Sequence, residues 1–252
     1  MAEDMDRAGV STAILLGWYW ERAETCREHN RFLCEIAAQD PSRFIPFAAL
    51  QLRDNPRALD DLDEAVRNGC RGVGELLPGV QGYSLDDMLF AELCGYAAER
   101  HLPIVLHVTE GAGRRHAGRV DTPFMELVEL AASNPDTIFI FAHWGGGLPF
   151  YALNPHVRAS LANVYFDSAA SPLMYDSRVW GVVRDLVGPE RLLFGSDYPL
   201  RIYPKRQKQA DFTGIVEEFR ESGLTDVDLR MMGGGNLRRI LEHTTEGSGA
   251  VD

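Results

Sequence analysis

The amino-acid sequence predicts an α/β fold with a parallel sheet. Two observations lead to this prediction: short apolar runs rich in branched and aromatic residues recur along the chain, and longer amphipathic stretches separate most of them. Short runs of that composition suit strands that are buried on both faces. Strands that alternate with helices build a parallel sheet through right-handed crossovers.

Seven apolar runs are the predicted strands, and helix signals lie between them. The runs cover residues 13–16, 44–50, 72–76, 104–106, 138–142, 164–166 and 192–194. Polar or proline-containing pairs that open helices are Asn55-Pro56, Ser84 with Asp87, Thr122-Pro123 and Asn154-Pro155. Gly188 and Gly223 are the predicted ends of the later helices.

The number of strands leaves two architectures open. A closed (β/α)8 barrel has eight strands, each followed by a helix. Here a helix predicted over residues 2–8 precedes the first visible strand, so the strand that the barrel order requires before it is absent from this chain. We therefore expect a distorted (β/α)8 barrel whose first strand is missing, with a doubly wound sheet as the alternative. The predicted domain covers residues 1–243, and residues 244–252 are expected to form a flexible tail.

Composition excludes several classes of protein. The 252 residues carry a net charge of −12 at pH 7, and 45% of them are hydrophobic, which is enough for a sizeable core. No basic block offsets the acidic balance, so neither nucleic acid nor an anionic membrane is an expected partner. No apolar run reaches the ~18 residues of a membrane span, and the acidic N-terminus is unlike a signal peptide. Four cysteines without CxxC spacing indicate free thiols in a cytoplasmic protein.

Acidic and imidazole side chains end five of the predicted strands. In chain order they are Glu75, His107, His143, Asp167 and Asp197, and successive members are 24 to 36 residues apart. The carboxyl ends of parallel barrel strands meet at one face, so we expect these side chains to ring one mouth. Two imidazoles with three carboxylates suit a divalent metal and proton transfer. For any single residue, a polar strand end at the solvent boundary is the alternative.

Residues beside these strand ends are the predicted substrate contacts. Trp144 of the HWGGG segment either forms a wall of the pocket or packs under its own loop, and Gly145 leaves backbone amides free for a ligand. Glu110, His116 and Arg119 belong to the loop after the fourth apolar run. The basic residues of that loop suit a small carboxylated substrate, although a solvated charged loop explains them equally well.

Four segments together resemble a known family. LPIVLH, IFIFAHWGGG, LLFGSDYPL and GGGNLRRILE are similar to the amidohydrolase-related branch of the amidohydrolase superfamily. That branch includes aminocarboxymuconate-semialdehyde decarboxylase-like enzymes, aromatic-acid decarboxylases, hydratases and lactone hydrolases. The resemblance spans nearly the whole chain, and it implies a distorted TIM barrel with a divalent metal, usually zinc, at the carboxyl-terminal mouth.

The resemblance also implies roles for individual residues. His107 matches a metal ligand on the family's fifth strand, Asp197 a ligand or proton shuttle on the eighth, and Glu75 the bridging position on the fourth. His143 matches an acid/base or carbonyl-polarising group. The family's H-x-H or E-x-H ligand pair belongs to strand one and is absent here. Either the recorded start lies downstream of the true one, or the chain is a variant that works without metal or has lost catalysis.

The main prediction is a metal-dependent hydrolase that acts on a small carboxylated or cyclic substrate. Metal-activated water would attack a carbonyl, with Asp197 as the base and His143 as the oxyanion stabiliser. Non-oxidative decarboxylation of an aromatic or muconate-type acid is the first alternative. A metal-free or non-catalytic barrel is the second. Because a missing strand leaves open sheet edges, we also expect a homo-oligomer.

Overall fold

The structure is a computed structural model that describes residues 1–113 and 119–246. Seven parallel strands lie in two sheets in the described part of the chain, and each begins within one of the predicted apolar runs, which confirms that prediction. The strands are β1 (Ala13–Leu15), β2 (Phe44–Pro46), β3 (Val73–Leu76), β4 (Ile104–Leu106), β5 (Phe139–Phe141), β6 (Val164–Asp167) and β7 (Leu192–Leu193).

The strands are neighbours in chain order. β1 pairs with β2, and β3 to β7 form a five-stranded ladder, all parallel. An isolated bridge between Ala48 and Val73 links the two sheets. Within the described ranges no ladder joins β1 to β7, and no eighth strand lies between them. Within these ranges the hydrogen-bonded ladders therefore do not close into a complete barrel.

Side chains from six strands converge in one interior cluster. They are Ile14, Ile45, Val105, Ile140, Tyr165 and Leu193, and Ile240 of the last helix packs with them. Neighbouring residues such as Ile104 and Phe139 belong to a larger cluster on the other face of the strands. Successive residues of each of these strands thus contribute to different clusters, and the side chains from one face of the strands meet in the centre. This is the pattern of a barrel interior.

Thirteen helices or single helical turns accompany the strands in the described part of the chain. They are α1 (Ala2–Ala8), α2 (Ala23–Gln39), α3 (Ala58–Arg67), α4 (Pro78–Gln81), α5 (Met88–Glu99), α6 (Phe124–Ser133), α7 (Ala142–Gly145), α8 (Pro155–Ser160), α9 (Ser171–Met174), α10 (Val179–Val187), α11 (Thr213–Arg220), α12 (Asp226–Arg230) and α13 (Asn236–Glu246). Short 3-10 segments cover Leu148–Tyr151 and Pro189–Arg191, and a π-helical turn covers Met231–Gly235.

Several helix boundaries test the sequence signals. α8 begins at the predicted pair, because the Asn154 side chain accepts a hydrogen bond from the His156 backbone N–H. α3 begins at Ala58, three residues after Asn55; the Asn55 side-chain oxygen accepts from the Arg57 backbone N–H (3.3 Å), and its amide donates to the Asp61 carboxylate. α13 is the last described helix and ends at Glu246; the tail predicted over residues 244–252 lies mostly outside the described residues and stays a prediction.

The two ends of the sheet are brought together by helices. α1 packs on α11 through Met5 and Ala8 on one side and Phe212 and Val216 on the other. Arg71, which precedes β3, donates to the Leu241 carbonyl of α13 (2.8 Å), so α13 closes the amino end of the strands. The opposite, carboxyl end is therefore left for the site. None of the described helices is long and apolar enough to cross a membrane.

Candidate metal and active site

Three ligating side chains meet at the carboxyl end of the strands. Glu75 lies within β3, His107 follows β4 directly, and His143 follows β5 by two residues. Because Val105 faces the barrel interior, His107, two residues further along, faces the same way. Among the described residues, Glu75, His107 and His143 are the group whose ligand atoms all lie within 4.8 Å of one another. The predicted convergence of these three residues is therefore observed.

The spacing of the three ligand atoms fits a metal ion. Nδ1 of His107 lies 3.1 Å from Oε1 of Glu75 and 3.1 Å from Nε2 of His143, and the third edge, His143 Nε2 to Glu75 Oε1, is 3.4 Å. Ligands about 2.0–2.1 Å from a tetrahedral zinc ion are roughly 3.3 Å apart. Two imidazole nitrogens with one carboxylate oxygen also suit zinc, manganese or iron. The residues present thus fit a divalent cation.

Glu75 and His143 form a buried charged pair. Burial alone raises the pKa of Glu75, but hydrogen bonds from His107 and His143 outweigh it and lower that pKa to about 2. Burial alone lowers the pKa of His143, but its contact with the Glu75 carboxylate raises that pKa to about 10. Without a metal, the site therefore holds a carboxylate and an imidazolium at neutral pH.

Asp167 and Ala169 fix the orientation of His143. The backbone N–H of His143 and that of Ala169 both donate to Oδ1 of Asp167, at 3.0 and 2.9 Å. Nδ1 of His143 lies 3.1 Å from the Ala169 carbonyl oxygen, which leaves Nε2 directed at Glu75. Asp167 ends β6 as predicted, but its carboxyl supports the histidine and is not part of the ligand group.

Asp197 faces the same mouth from the loop after β7. The residue as a whole is exposed, but desolvation of its carboxyl by the neighbouring protein, together with the nearby Glu75 charge, raises the pKa of Asp197 against the opposing effect of His143. The carboxyl of Asp197 accepts no hydrogen bond from the described residues, and it lies outside the group close enough to share an ion. Asp197 thus lies outside the three-residue ligand group, and its roles as a ligand and as a proton shuttle both remain predictions.

After His143, the HWGGG segment turns away from the mouth. His143 and Trp144 have φ of 59° and 55°, so α7 is a left-handed turn and not a regular helix. The turn directs the Trp144 indole into the core, where it is fully buried, donates to the Ser171 hydroxyl and packs edge-on against Trp180 at 5.0 Å. This placement matches the packing interpretation of Trp144 and not the pocket wall. Gly145 is needed for close packing, because a side chain there would lie 2.8 Å from the ring of Phe166.

In the described part of the loop after β4, the charged side chains of Glu110 and Arg119 make their hydrogen bonds within the loop. Glu110 accepts from the backbone N–H of Ala112 (2.9 Å). Arg119 donates to the carboxylate of Asp121 and to the carbonyl of Gly113, so its guanidinium is held within the loop. These contacts fit the alternative interpretation of a solvated charged loop. His116, the third substrate contact predicted here, lies outside the described residues.

A tyrosine that the sequence reasoning missed lies beside the ligand cluster. The ring of Tyr19 is centred 5.7 Å from that of His107, and Trp18 stacks on it at 4.2 Å. Burial and the charges of Glu75 and Asp197 raise the pKa of Tyr19 to about 12. The available signal was a W-Y-W run placed directly after the first apolar run, where a barrel strand delivers residues to the mouth.

Comparisons with known proteins agree with this architecture. A family model described as amidohydrolase matches residues 5–242. A search of the curated proteins found no match. A 2,6-dihydroxybenzoate decarboxylase from Rhizobium superposes with a TM-score of 0.75 at 20% identity, covering 96% of this chain and 87% of that chain.

Two further solved structures are similar, and both titles name manganese. A dihydroxybenzoic acid decarboxylase from Polaromonas sp. JS666, with manganese and the inhibitor 2-nitroresorcinol, has a TM-score of 0.74 at 18% identity, covering 99% of this chain and 87% of that chain. A 5-carboxyvanillate decarboxylase from Novosphingobium aromaticivorans, with manganese and a nitrobenzoic acid, has a TM-score of 0.76 at 17% identity, covering 96% and 79%. At these identities the similarity establishes the fold.

Proposed function

The chain belongs to the amidohydrolase family, and on that premise we propose that it catalyses the metal-dependent, non-oxidative decarboxylation of an aromatic or similarly conjugated carboxylic acid. The observation that carries the proposal is the pairing of the Glu75–His107–His143 cluster with the Asp197 carboxyl at the same mouth. One group can hold a cation, and the other can give a proton to the carbon that loses its carboxylate.

In this proposal Glu75, His107 and His143 hold the divalent cation. The bound cation supplies the positive charge that binds and orients the substrate's carboxylate in a mouth rich in acidic groups. The nitrogen and oxygen donors accept zinc as well as manganese, so the predicted zinc remains a proposal beside manganese. Before a cation binds, the neighbouring imidazoles keep the Glu75 carboxylate ionised; a bound cation would take the place of the proton on each ligating nitrogen.

Asp197 is the proposed proton donor. The proton of its carboxyl forms a C–H bond at the ring carbon that bears the carboxylate, and the C–C bond then breaks with release of carbon dioxide. The bonding electrons return to the ring, and Asp197 regains a proton from solvent. The raised pKa of the Asp197 carboxyl favours its acid form, as such a donor requires.

The choice between this reaction and the hydrolysis predicted first does not rest on Asp197, because an ionised Asp197 carboxylate can equally take a proton from water. The similar solved structures support the choice, because their titles name decarboxylases of dihydroxybenzoates and of 5-carboxyvanillate. Decarboxylation is therefore the better-supported of the two reactions.

The test measures where the proton goes. Manganese-loaded protein is incubated in D2O with 2,6-dihydroxybenzoate, 5-carboxyvanillate and a panel of aryl esters and lactones. We expect carbon dioxide and an aromatic product that carries one deuterium at the carbon that lost its carboxylate. Asp197→Asn should lower the rate by about 10²- to 10⁴-fold without loss of manganese. Asp60→Asn, which removes an exposed carboxylate on α3, is the matched control. Ester or lactone hydrolysis without carbon dioxide release would overturn the proposal.

A further inference from the structure

Large aromatic side chains line the mouth on its β1 side. Residues 17–20, here called the aromatic loop, follow β1 at its carboxyl end, and the backbone N–H of Gly17 still bonds to the Phe47 carbonyl (3.1 Å). Trp18 is 48% exposed and Trp20 is 38% exposed. Exposed indole rings close to potential metal ligands are typical of a ligand-binding surface.

The aromatic loop is held rigidly from below. The carbonyl of Trp20 accepts from the buried amides of Gln51 and Gln81, at 3.4 and 3.3 Å. Its indole N–H donates to Nδ1 of His29 (2.8 Å). A side chain at Gly17 would lie 2.2 Å from a backbone nitrogen, so the base of the loop is pressed against the chain that follows β2. The rings are thus positioned before any ligand arrives, which lowers the entropic cost of binding.

Tyr19 points from this loop to the metal cluster with a free donor. Its ring meets the His107 ring at 59°, and both Glu75 and Asp197 act electrostatically on its hydroxyl. Within residues 1–113 and 119–246, no group accepts a hydrogen bond from that hydroxyl. No described lysine or arginine shifts the pKa of Glu75 or of Asp197, so the hydroxyl is a neutral donor in an acidic mouth.

We propose that Tyr19 and Trp18 are substrate-binding residues: their stacked rings form the wall against which a planar, conjugated acid lies, and the Tyr19 hydroxyl donates a hydrogen bond to its carboxylate. The substrate class rests on the proposed function, whereas the wall and the donor rest on the loop geometry. A phenol suits this position because it donates to a carboxylate and adds no charge that would compete with the cation for Glu75.

The test is equilibrium binding, which needs no turnover. Manganese-loaded protein is titrated with 2,6-dihydroxybenzoate, which has the ring and the carboxylate, and with resorcinol, which has the ring and both hydroxyls only. We expect Tyr19→Phe to weaken 2,6-dihydroxybenzoate about tenfold or more and resorcinol by less than twofold. Trp18→Ala should weaken both ligands several-fold, because it removes the stacking face. Tyr151→Phe, at another exposed aromatic residue, is the matched control.

The outcomes separate this inference from the proposed function. Unchanged manganese content and an unchanged unfolding midpoint in Tyr19→Phe would show that the loss is local. If Tyr19→Phe binds both ligands as the parent does, or if the parent binds neither, the inference is wrong. If the selective loss is found but no carbon dioxide is ever released, the proposed function fails and the binding wall stands. Decarboxylation that is indifferent to Tyr19 and Trp18 would overturn the inference alone.

Discussion

Removal of the Asp167 carboxyl should destabilise the protein and remove the contacts that orient the His143 side chain. One oxygen of Asp167 accepts two backbone N–H groups, from His143 at 3.0 Å and from Ala169 at 2.9 Å. Both donors are buried, and the carbonyl of Ala169 in turn holds the His143 imidazole. Asp167→Ala leaves both N–H groups without an acceptor, whereas Asp167→Asn keeps an oxygen in the same place.

The size of the effect follows from these two bonds. A buried donor left without its partner costs about 1–3 kcal/mol, so Asp167→Ala should lose roughly 4 kcal/mol of unfolding free energy. In a domain of this size that corresponds to a fall in Tm of about 8–16 °C. Asp167→Asn should lose no more than about 1 kcal/mol. Because His143 also loses its orientation, the manganese affinity of Asp167→Ala should fall about 10- to 100-fold.

Urea unfolding followed by circular dichroism gives the free energies, and calorimetric titration with Mn²⁺ gives the affinities. The parent, Asp167→Asn and Asp167→Ala should rank in that order on both scales. Equal midpoints and equal Mn²⁺ affinities in all three proteins would refute the reasoning, because they would mean that the two backbone bonds do not support His143.

Three further outcomes are expected. Addition of Mn²⁺ at about 100 times its dissociation constant should raise the unfolding free energy, measured by thermal unfolding, by about 2.7 kcal/mol. His107→Gln should abolish this stabilisation. If Mn²⁺ stabilises His107→Gln as much as the parent, the Glu75–His107–His143 cluster does not hold the cation. Burial lowers the pKa of His29 below its unfolded value of 6.5, so its contribution to stability is complete above about pH 6.5 and is lost as the pH falls below it; urea midpoints from pH 5 to 8 should show this slope in the parent and not in His29→Gln. Gly146→Ala places a side chain 2.7 Å from the Thr109 carbonyl oxygen at a φ of 61°, so it should lower the unfolding free energy by about 1–3 kcal/mol in the same urea assay. Gly181→Ala is the control on α10, where the space around the new side chain is open, and it should raise the unfolding free energy by about 0.5–1 kcal/mol.

The fold could be predicted because its signal is local. Strands such as β4 and β5 are three-residue apolar segments whose residues are all buried, and none of the described helices of more than four residues is apolar throughout. The convergence of Glu75, His107 and His143 follows from the same logic, because parallel barrel strands deliver their carboxyl ends to one face. No knowledge of side-chain contacts was needed for either conclusion.

The rest of the site depends on backbone conformations that no pattern of residue types reveals. The left-handed turn at His143 sends Trp144 into the core, although both residues follow the same strand. Asp167 and Asp197 are the same residue type, but the carboxylate of Asp167 already accepts hydrogen bonds from two backbone N–H groups. Tyr19 was missed because an aromatic residue after a strand most often packs in the core, and only the distance to His107 separates the two cases.

The two carboxyl groups that remain at the mouth differ because their surroundings differ. Glu75 accepts hydrogen bonds from two imidazoles, and these lower its pKa to about 2 even though it is buried. Asp197 has no such donors among the described residues, so desolvation and the Glu75 charge raise the pKa of its carboxyl. Environments that push the pKa values of neighbouring acids apart assign one group to charge and the other to proton transfer. The division between a cation-binding carboxylate and a proton-donating acid thus follows from the surroundings of the two carboxyl groups, because only Glu75 lies among the imidazoles that would share the cation with it.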